Sequence, residues 1–323
     1  MRPTGDAPGM NRILSNVTVI PSKRGESGLP GQEPLVDRQL LEKLERLTLR
    51  WQKSFAGLVG GHNLSRFSGP GIEFLDHRRF HHGDDLRAVN WRAYLRLEKL
   101  FLKLFQVEPR VPVRVLLDHS ASMTTGGGEK LTYAKRLAAA LSYVALVRLD
   151  SVSLIPFSNR LGQHMVCSGG RHRFSPVAGF LEALEPATTT DFFHVSREFI
   201  STYLQHGLLI VISDFLEDGD CALPLQYLAD FGHELLLLQV YSPADREPPE
   251  DGELELEDAE TGSRIQLSVD AGARREYTAA FDAYSESLRR VAERNGGRFI
   301  ALSTDIPVED AIFGPIARSQ ALQ

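Results

Sequence analysis

The feature that most constrains this chain is an alternation that starts at Pro112. Short apolar runs of strand length are separated by segments whose apolar residues recur at helical spacing. Val113-Arg-Val-Leu-Leu-Asp118 reads as a buried strand. Glu129 to Leu149 follows, with Leu131, Ala134, Leu137, Ala138, Leu141, Val144 and Ala145 on one stripe of a helix. The same reading predicts strand 151–157, an edge hairpin over 160–166, helices 174–184 and 192–204, and strand 208–213. It continues with helix 223–230, strand 234–241, helix 271–294, strand 298–302 and a last helix over 308–317. Strands alternating with helices of this length imply an α/β fold, a mostly parallel sheet covered by helices on both faces.

Upstream the text is different. Residues 1–35 hold five Pro and five Gly among polar residues and read as a disordered leader, with Met10 as an alternative start. Residues 36–110 form an N-terminal accessory region. It has an amphipathic helix over 36–58 carried by Leu40, Leu41, Leu44, Leu47 and Leu49, a short strand near 72–75, a helix opening near Asp84, and an alternating strand over 100–105. The main domain spans 111–323. Inside it, Leu254 and Leu256 alternate against Ile265 and Leu267 around Thr261-Gly262, which predicts a β-hairpin insertion over about 252–269.

Composition narrows the function classes. A formal net charge of −6 disfavours a whole-chain polyanion binder. Two cysteines, Cys167 and Cys221, suit a reducing compartment better than a disulfide framework. No apolar run approaches the length a bilayer requires, so the expectation is a soluble, cytoplasmic protein without a membrane span.

In an open parallel sheet, ligands sit beyond the carboxyl ends of the strands, so polar residues that close an apolar strand are the ones to weigh. Asp118-His119-Ser120-Ala121-Ser122 closes the first strand, Thr188-Thr189-Thr190-Asp191 precedes a helix, and Ser213-Asp214 closes the strand at 208–213. Hard oxygen donors without His or Cys suit Mg2+ or Mn2+. This set resembles the metal-ion-dependent adhesion site of von Willebrand factor A domains. The resemblance implies Ser120, Ser122 and Thr190 as direct ligands, with Asp118 and Asp214 holding the ion directly or through water. Thr188 and Thr189 stay open as alternatives to Thr190.

A second stretch narrows the match. Arg78, Gly83, Asp84, Asp85, Arg87, Trp91 and Arg92, followed by Asp118-x-Ser-x-Ser, are similar to the bacterial domain-of-unknown-function family numbered fifty-eight, over roughly Gly71 to the end. Asn90 departs from the acid expected there. That resemblance implies a von Willebrand factor A-like, Rossmann-like fold. It also implies a protein partner, a MoxR-type AAA ATPase or its client, whose acidic side chain completes the coordination of the metal.

Other readings are weaker. Asp84 or Asp85 fits a helix N-cap better than a catalytic metal site with His81 and His82. The basic residues from Arg78 to Lys103 could touch nucleic acid, but acids at Asp76, Asp84, Asp85 and Glu98 are interleaved with them. Trp91 and Tyr94 are expected to pack in a core. Ser120 lacks the Gly-x-Ser-x-Gly elbow of a lipase-like nucleophile. A metal-dependent hydrolase at the same site would need His119 or His194 as its base. The expected function is therefore a metal-dependent interaction module with no catalytic residues.

Overall fold

The computed structural model describes residues 17–19, 34–47, 49, 73–81, 89–106, 112–217, 219, 221–247, 252–258, 264–319 and 321–322. The chain divides into two compact units, residues 1–53 together with 112–323, and residues 54–111.

The larger unit begins with β1 (Val17–Val19) and α1 (Arg38–Leu44). β1 lies in the stretch expected to be a disordered leader. Its β-branched Val-Thr-Val run pairs antiparallel with a later strand, Thr18 opposite Glu257, while residues 1–16 and 20–33 of that leader lie outside the described residues. α1 opens at Asp37, whose side chain accepts from Leu40 N at 2.6 Å. It ends at Leu44, far short of residue 58, where Glu45 N donates back to Leu41 O. Leu49 is buried and forms an antiparallel bridge with Leu322 instead. Residues 50–58 lie outside the described residues.

The smaller unit holds β2 (Glu73–Arg79), α2 (Trp91–Leu97) and β3 (Phe101–Gln106), with β2 antiparallel to β3. α2 is capped by Asn90, whose side chain accepts from Ala93 N at 3.3 Å. An acid or an amide can serve as N-cap, so the departure at Asn90 keeps the local structure. Trp91 and Tyr94 do not join a core. They are 54% and 41% exposed and meet edge to face at 6.2 Å, while Val89 and Leu102 fill the buried positions of this unit. The helix start expected near Asp84 falls outside the described residues, as do Gly83, Asp85 and Arg87.

The rest of the larger unit runs β4 (Pro112–Asp118), a tight turn at Ser122–Gly127, α3 (Glu129–Val147), β5 (Ser151–Phe157), β6 (Met165–Cys167), α4 (Phe174–Glu182) and α5 (Phe192–Thr202). It continues through β7 (Leu208–Ser213), α6 (Ala222–Asp230), β8 (Glu234–Tyr241), α7 (Pro243–Arg246), β9 (Gly252–Asp258), β10 (Arg264–Val269), α8 (Ala271–Arg294), β11 (Arg298–Ser303) and α9 (Val308–Ala311). Residues 312–316 widen into a π-turn around Pro315, which lacks the N–H that a regular helix would need. β9 and β10 form the expected hairpin, Leu256 opposite Ile265 and Leu254 opposite Leu267.

Six strands make one sheet in the order β11-β8-β7-β4-β5-β6, parallel except for β6 at one edge. Leu116 stands beside Ile155 and Val211, and Val211 beside Leu237, so one sheet face carries these four. They pack with Val195 and Phe199 of α5, Leu225 and Leu228 of α6, and Leu288 of α8 in one buried cluster. α3 packs on β4 and β5 with its own buried stripe. Each fully buried aliphatic side chain contributes about 1.5–3 kcal/mol, so this mixed α/β unit has a substantial core under its strand ends.

Candidate functional site

The chain leaves β4 for β5 on one side and later returns to lay β7 on the other. The carboxyl ends of β4 and β7 therefore flank a topological switch point, where a crevice opens in such sheets. Leu117 is opposite Ile212, which makes Asp118 and Ser213 the next residues out. Ser213 Oγ donates to Asp118 Oδ2 at 2.6 Å, and Ser120 N donates to Oδ1 at 2.9 Å. The hydroxyls of Ser120 and Ser122 are 3.0 Å apart, and Ser122 Oγ donates to Asp214 Oδ1 at 3.4 Å. Asp118, Ser120, Ser122 and Asp214 are each at most 1% exposed.

Thr190 lines the same small cleft as Asp118 and Asp214. Thr188 approaches through its backbone, its carbonyl accepting from Ala121 N at 3.0 Å. Asp191 serves the helix rather than the cleft, capping α5 by accepting from His194 N at 2.8 Å. The five residues expected to form the site thus arrive together from three loops. Of the second motif, Arg92 and Trp91 lie on α2 in the smaller unit, and Arg78 lies on β2.

Backbone strain accompanies this arrangement. Phe215, directly after Asp214, has φ +54, a costly conformation for a bulky L residue. It is held from both sides, since Phe215 N donates to Ser213 Oγ at 2.9 Å and Tyr284 OH donates to Phe215 O at 2.6 Å. The turn directs Leu216 N onto Asp214 Oδ1 at 3.1 Å. Gln239 Nε2 supports the Asp214 carbonyl at 3.3 Å and is itself fixed by Ser285.

Lys130 was not a predicted site residue, yet its side chain is 1% exposed, and Nζ reaches Asp214 Oδ2 at 2.8 Å and Asp245 Oδ2 at 3.2 Å. Burial works against its charge, but Asp214 and Asp245 together hold the amine above the usual lysine range. A signal was present: Lys130 occupies the stripe that continues with Ala134, Leu137 and Leu141, positions that face the core. Glu217 was missed too. Its carboxylate accepts from Phe192 N at 3.2 Å and lines the cleft. His119 Nδ1 donates to Glu185 O at 2.7 Å and burial lowers its pKa, which leaves a neutral ring with Nε2 as its basic nitrogen, but His119 is not among the residues that line the cleft.

The donor set can be tested against a hard divalent cation. The ammonium of Lys130 pairs with Asp214 and Asp245, and Asp118 stands beside Asp214, so the three carboxylates, when all are ionised, carry two charges more than the lysine offsets. Burial, and then the Asp214 charge, push the Asp118 carboxyl up to about 7. Uncompensated buried charge is expensive, and a divalent cation among hydroxyls and carboxylates would balance it. Among the described residues no group of three or more His, Cys, Asp or Glu side chains could hold a metal. Any ion here would depend on the serine and threonine hydroxyls beside two acids, which fits magnesium better than zinc. No helix of the described residues is long and apolar enough to cross a membrane.

Comparison with known proteins bears out the family resemblance over most of the expected stretch, ending before the last 36 residues. The profile of the family described as "Protein of unknown function DUF58" matches residues 76–287. The chain is 26% identical over 276 residues to "Uncharacterized protein Rv1480" of Mycobacterium tuberculosis, covering 83% of this chain and 86% of that protein. It is 34% identical over 101 residues to "Uncharacterized protein MAV169" of Mycobacterium avium, covering 31% of this chain and 59% of that one. Among solved structures it aligns with the conserved hypothetical protein BatB from Bacteroides thetaiotaomicron at 19% identity and a TM-score of 0.39, over 65% of this chain and 98% of that one. With a profile match running from β2 into α8, across the whole candidate site, the chain belongs to the DUF58 family of proteins of unknown function.

Proposed function

We propose that the larger unit is a von Willebrand factor A-like interaction module that holds one Mg2+ or Mn2+ at Asp118, Ser120, Ser122, Thr190 and Asp214. The observation that carries this reading is the convergence of three loops on one buried cluster of hydroxyls and carboxylates at the switch point of the sheet. Such an ion, when bound, offers a hard Lewis-acid position to an oxygen anion. Everything else is done by the chain. Ser213 and the Ser120 amide orient Asp118, and the strained turn at Phe215 fixes Asp214.

The ligand that completes the site is an acidic side chain of a protein partner. The partner is a MoxR-type AAA ATPase or its client, with this chain acting in the cytoplasm as adaptor. Neither His119 nor His194 is among the residues that line the cleft with Asp118, Thr190 and Asp214, which supports binding over hydrolysis. The test is co-precipitation of a MoxR-type AAA ATPase from the same organism with this chain, in magnesium and in chelator. Recovery that drops in chelator is the expected result, and equal recovery in both overturns metal-gated binding.

A further inference from the structure

Lys130 sits where a lysine is costly. It is the first core-facing position of α3, fully buried, and its ammonium must be offset by hydrogen-bonded partners. The two partners differ in kind. Asp214 belongs to the candidate metal cluster, and Lys130 approaches it at Oδ2, while Oδ1 is the oxygen that faces Ser122. Asp245 does not belong to the cluster. It comes from α7, the loop helix after β8, where its Oδ2 also accepts from Ser242 N at 2.7 Å in a capping box. Asp245 is thus held in place by its own helix, and the same Oδ2 that takes the capping bond also faces Lys130.

We infer that Lys130 sets the charge of the metal site: it takes up part of the Asp214 charge from behind, so that the ion is bound loosely and keeps its attraction for an external carboxylate, while Asp245 tunes how much of the ammonium's charge reaches Asp214. The inference rests on the metal-binding reading above and deepens it. It predicts effects of opposite sign at two neighbouring positions. Removing the lysine makes the site one charge more negative and tightens the ion. Removing the Asp245 charge makes it one charge more positive and loosens the ion. At separations of a few ångströms in a buried site, one unit of charge outweighs the loss of a single orienting hydrogen bond. A role confined to packing would loosen the ion in both variants or leave both alone.

The test is isothermal titration of Mn2+ into the full chain, its Lys130→Met variant and its Asp245→Asn variant, with circular dichroism confirming that each is folded. We expect Lys130→Met to bind Mn2+ at least about tenfold more tightly and Asp245→Asn at least about threefold more weakly. Weaker or unchanged binding by a folded Lys130→Met overturns the charge-setting role. If Lys130→Met does not fold, Lys130→Gln, which keeps a hydrogen-bond donor to Asp214 but no charge, takes its place with the same expected tightening, and unchanged or tighter binding by Asp245→Asn overturns the role. An unmodified chain that binds no Mn2+ overturns the metal reading and this inference with it. Binding by the unmodified chain at an affinity that neither variant alters overturns this inference alone.

Discussion

Ser213 Oγ lies 2.6 Å from Asp118 Oδ2 and joins the ends of two neighbouring parallel strands through one hydroxyl. The same oxygen accepts from Phe215 N at 2.9 Å, so it serves both the buried carboxylate and the strained turn beyond Asp214. Ser213→Ala would strip a donor from Asp118 and leave a buried N–H unpaired. The expected cost is about 2–3 kcal/mol of folding stability, read from urea unfolding. Ser213→Thr keeps the hydroxyl and should recover most of it. An alanine variant as stable as the parent would show that the hydroxyl does not organise this corner.

Asp118 is the residue on which the proposed ion depends most, because it is the buried carboxylate shared by the Ser120 loop and β7. Asp118→Ala should lower Mg2+ or Mn2+ affinity by more than about tenfold, since it removes a whole charge from beside the ion. Isothermal titration checks this. Unchanged affinity in the variant would remove Asp118 from the site.

Much of this arrangement could be read from the chain, for identifiable reasons. Asp118 and Ser213-Asp214 stood out because each ends an apolar run, and strand order then brings such ends together. Thr190 was legible only as one of three adjacent threonines; its neighbours differ from it in where the loop turns, which a single sequence does not encode. Lys130 drew no reading from the sequence, and only its placement on the stripe with Ala134 and Leu137 hints at burial. Asp245 was hidden, because its pairing with Lys130 joins positions over a hundred residues apart. Trp91 and Tyr94 went the other way: large aromatic rings suggest a core, but a seven-residue helix with no buried residue left them at the surface. The Val17–Val19 strand escaped notice because three residues carry little periodicity and its order comes from pairing with β9.

Arg246 grips Asp282 through two hydrogen bonds, Nε to Oδ1 at 2.8 Å and Nη2 to Oδ2 at 3.0 Å, clamping α7 onto α8. The Arg246 hydrogen bonds hold the Asp282 carboxyl below the usual carboxylate range. A carboxyl whose folded pKa is depressed adds stability above its unfolded value, near pH 4, and loses it as pH falls through the folded value. The pair is half exposed, so solvent limits the gain to about 0.5–1 kcal/mol. Asp282→Asn should therefore lower stability by that amount at pH 6, with the difference from the parent vanishing near pH 2. Urea midpoints measured across this range test it, and a difference that persists in strong acid would assign the effect to packing rather than charge.

Gly207 separates fold from site, because it lies at the opposite end of β7 from Asp214. A Cβ added there would sit 2.3 Å from Pro112 O and 3.2 Å from the Arg114 guanidinium. Pro112 O is backbone at the start of β4, so the clash cannot be relieved by turning a side chain. The two strands must instead part where Val113 pairs with Leu208. Gly207→Ala should cost about 2–3 kcal/mol by this overpacking. Gly127 provides the contrast, since its added Cβ meets nothing within 4 Å and only its φ of +90 is strained. Gly127→Ala should cost about 1–2 kcal/mol. The Gly207 variant, while still folded, should bind Mn2+ like the parent, because the displaced strand starts lie a full strand length from Asp118 and Asp214. Loss of Mn2+ affinity in a folded Gly207→Ala chain would mean that the spacing of β4 and β7 along their whole length, and not the local turns at their ends, holds the carboxylates in place.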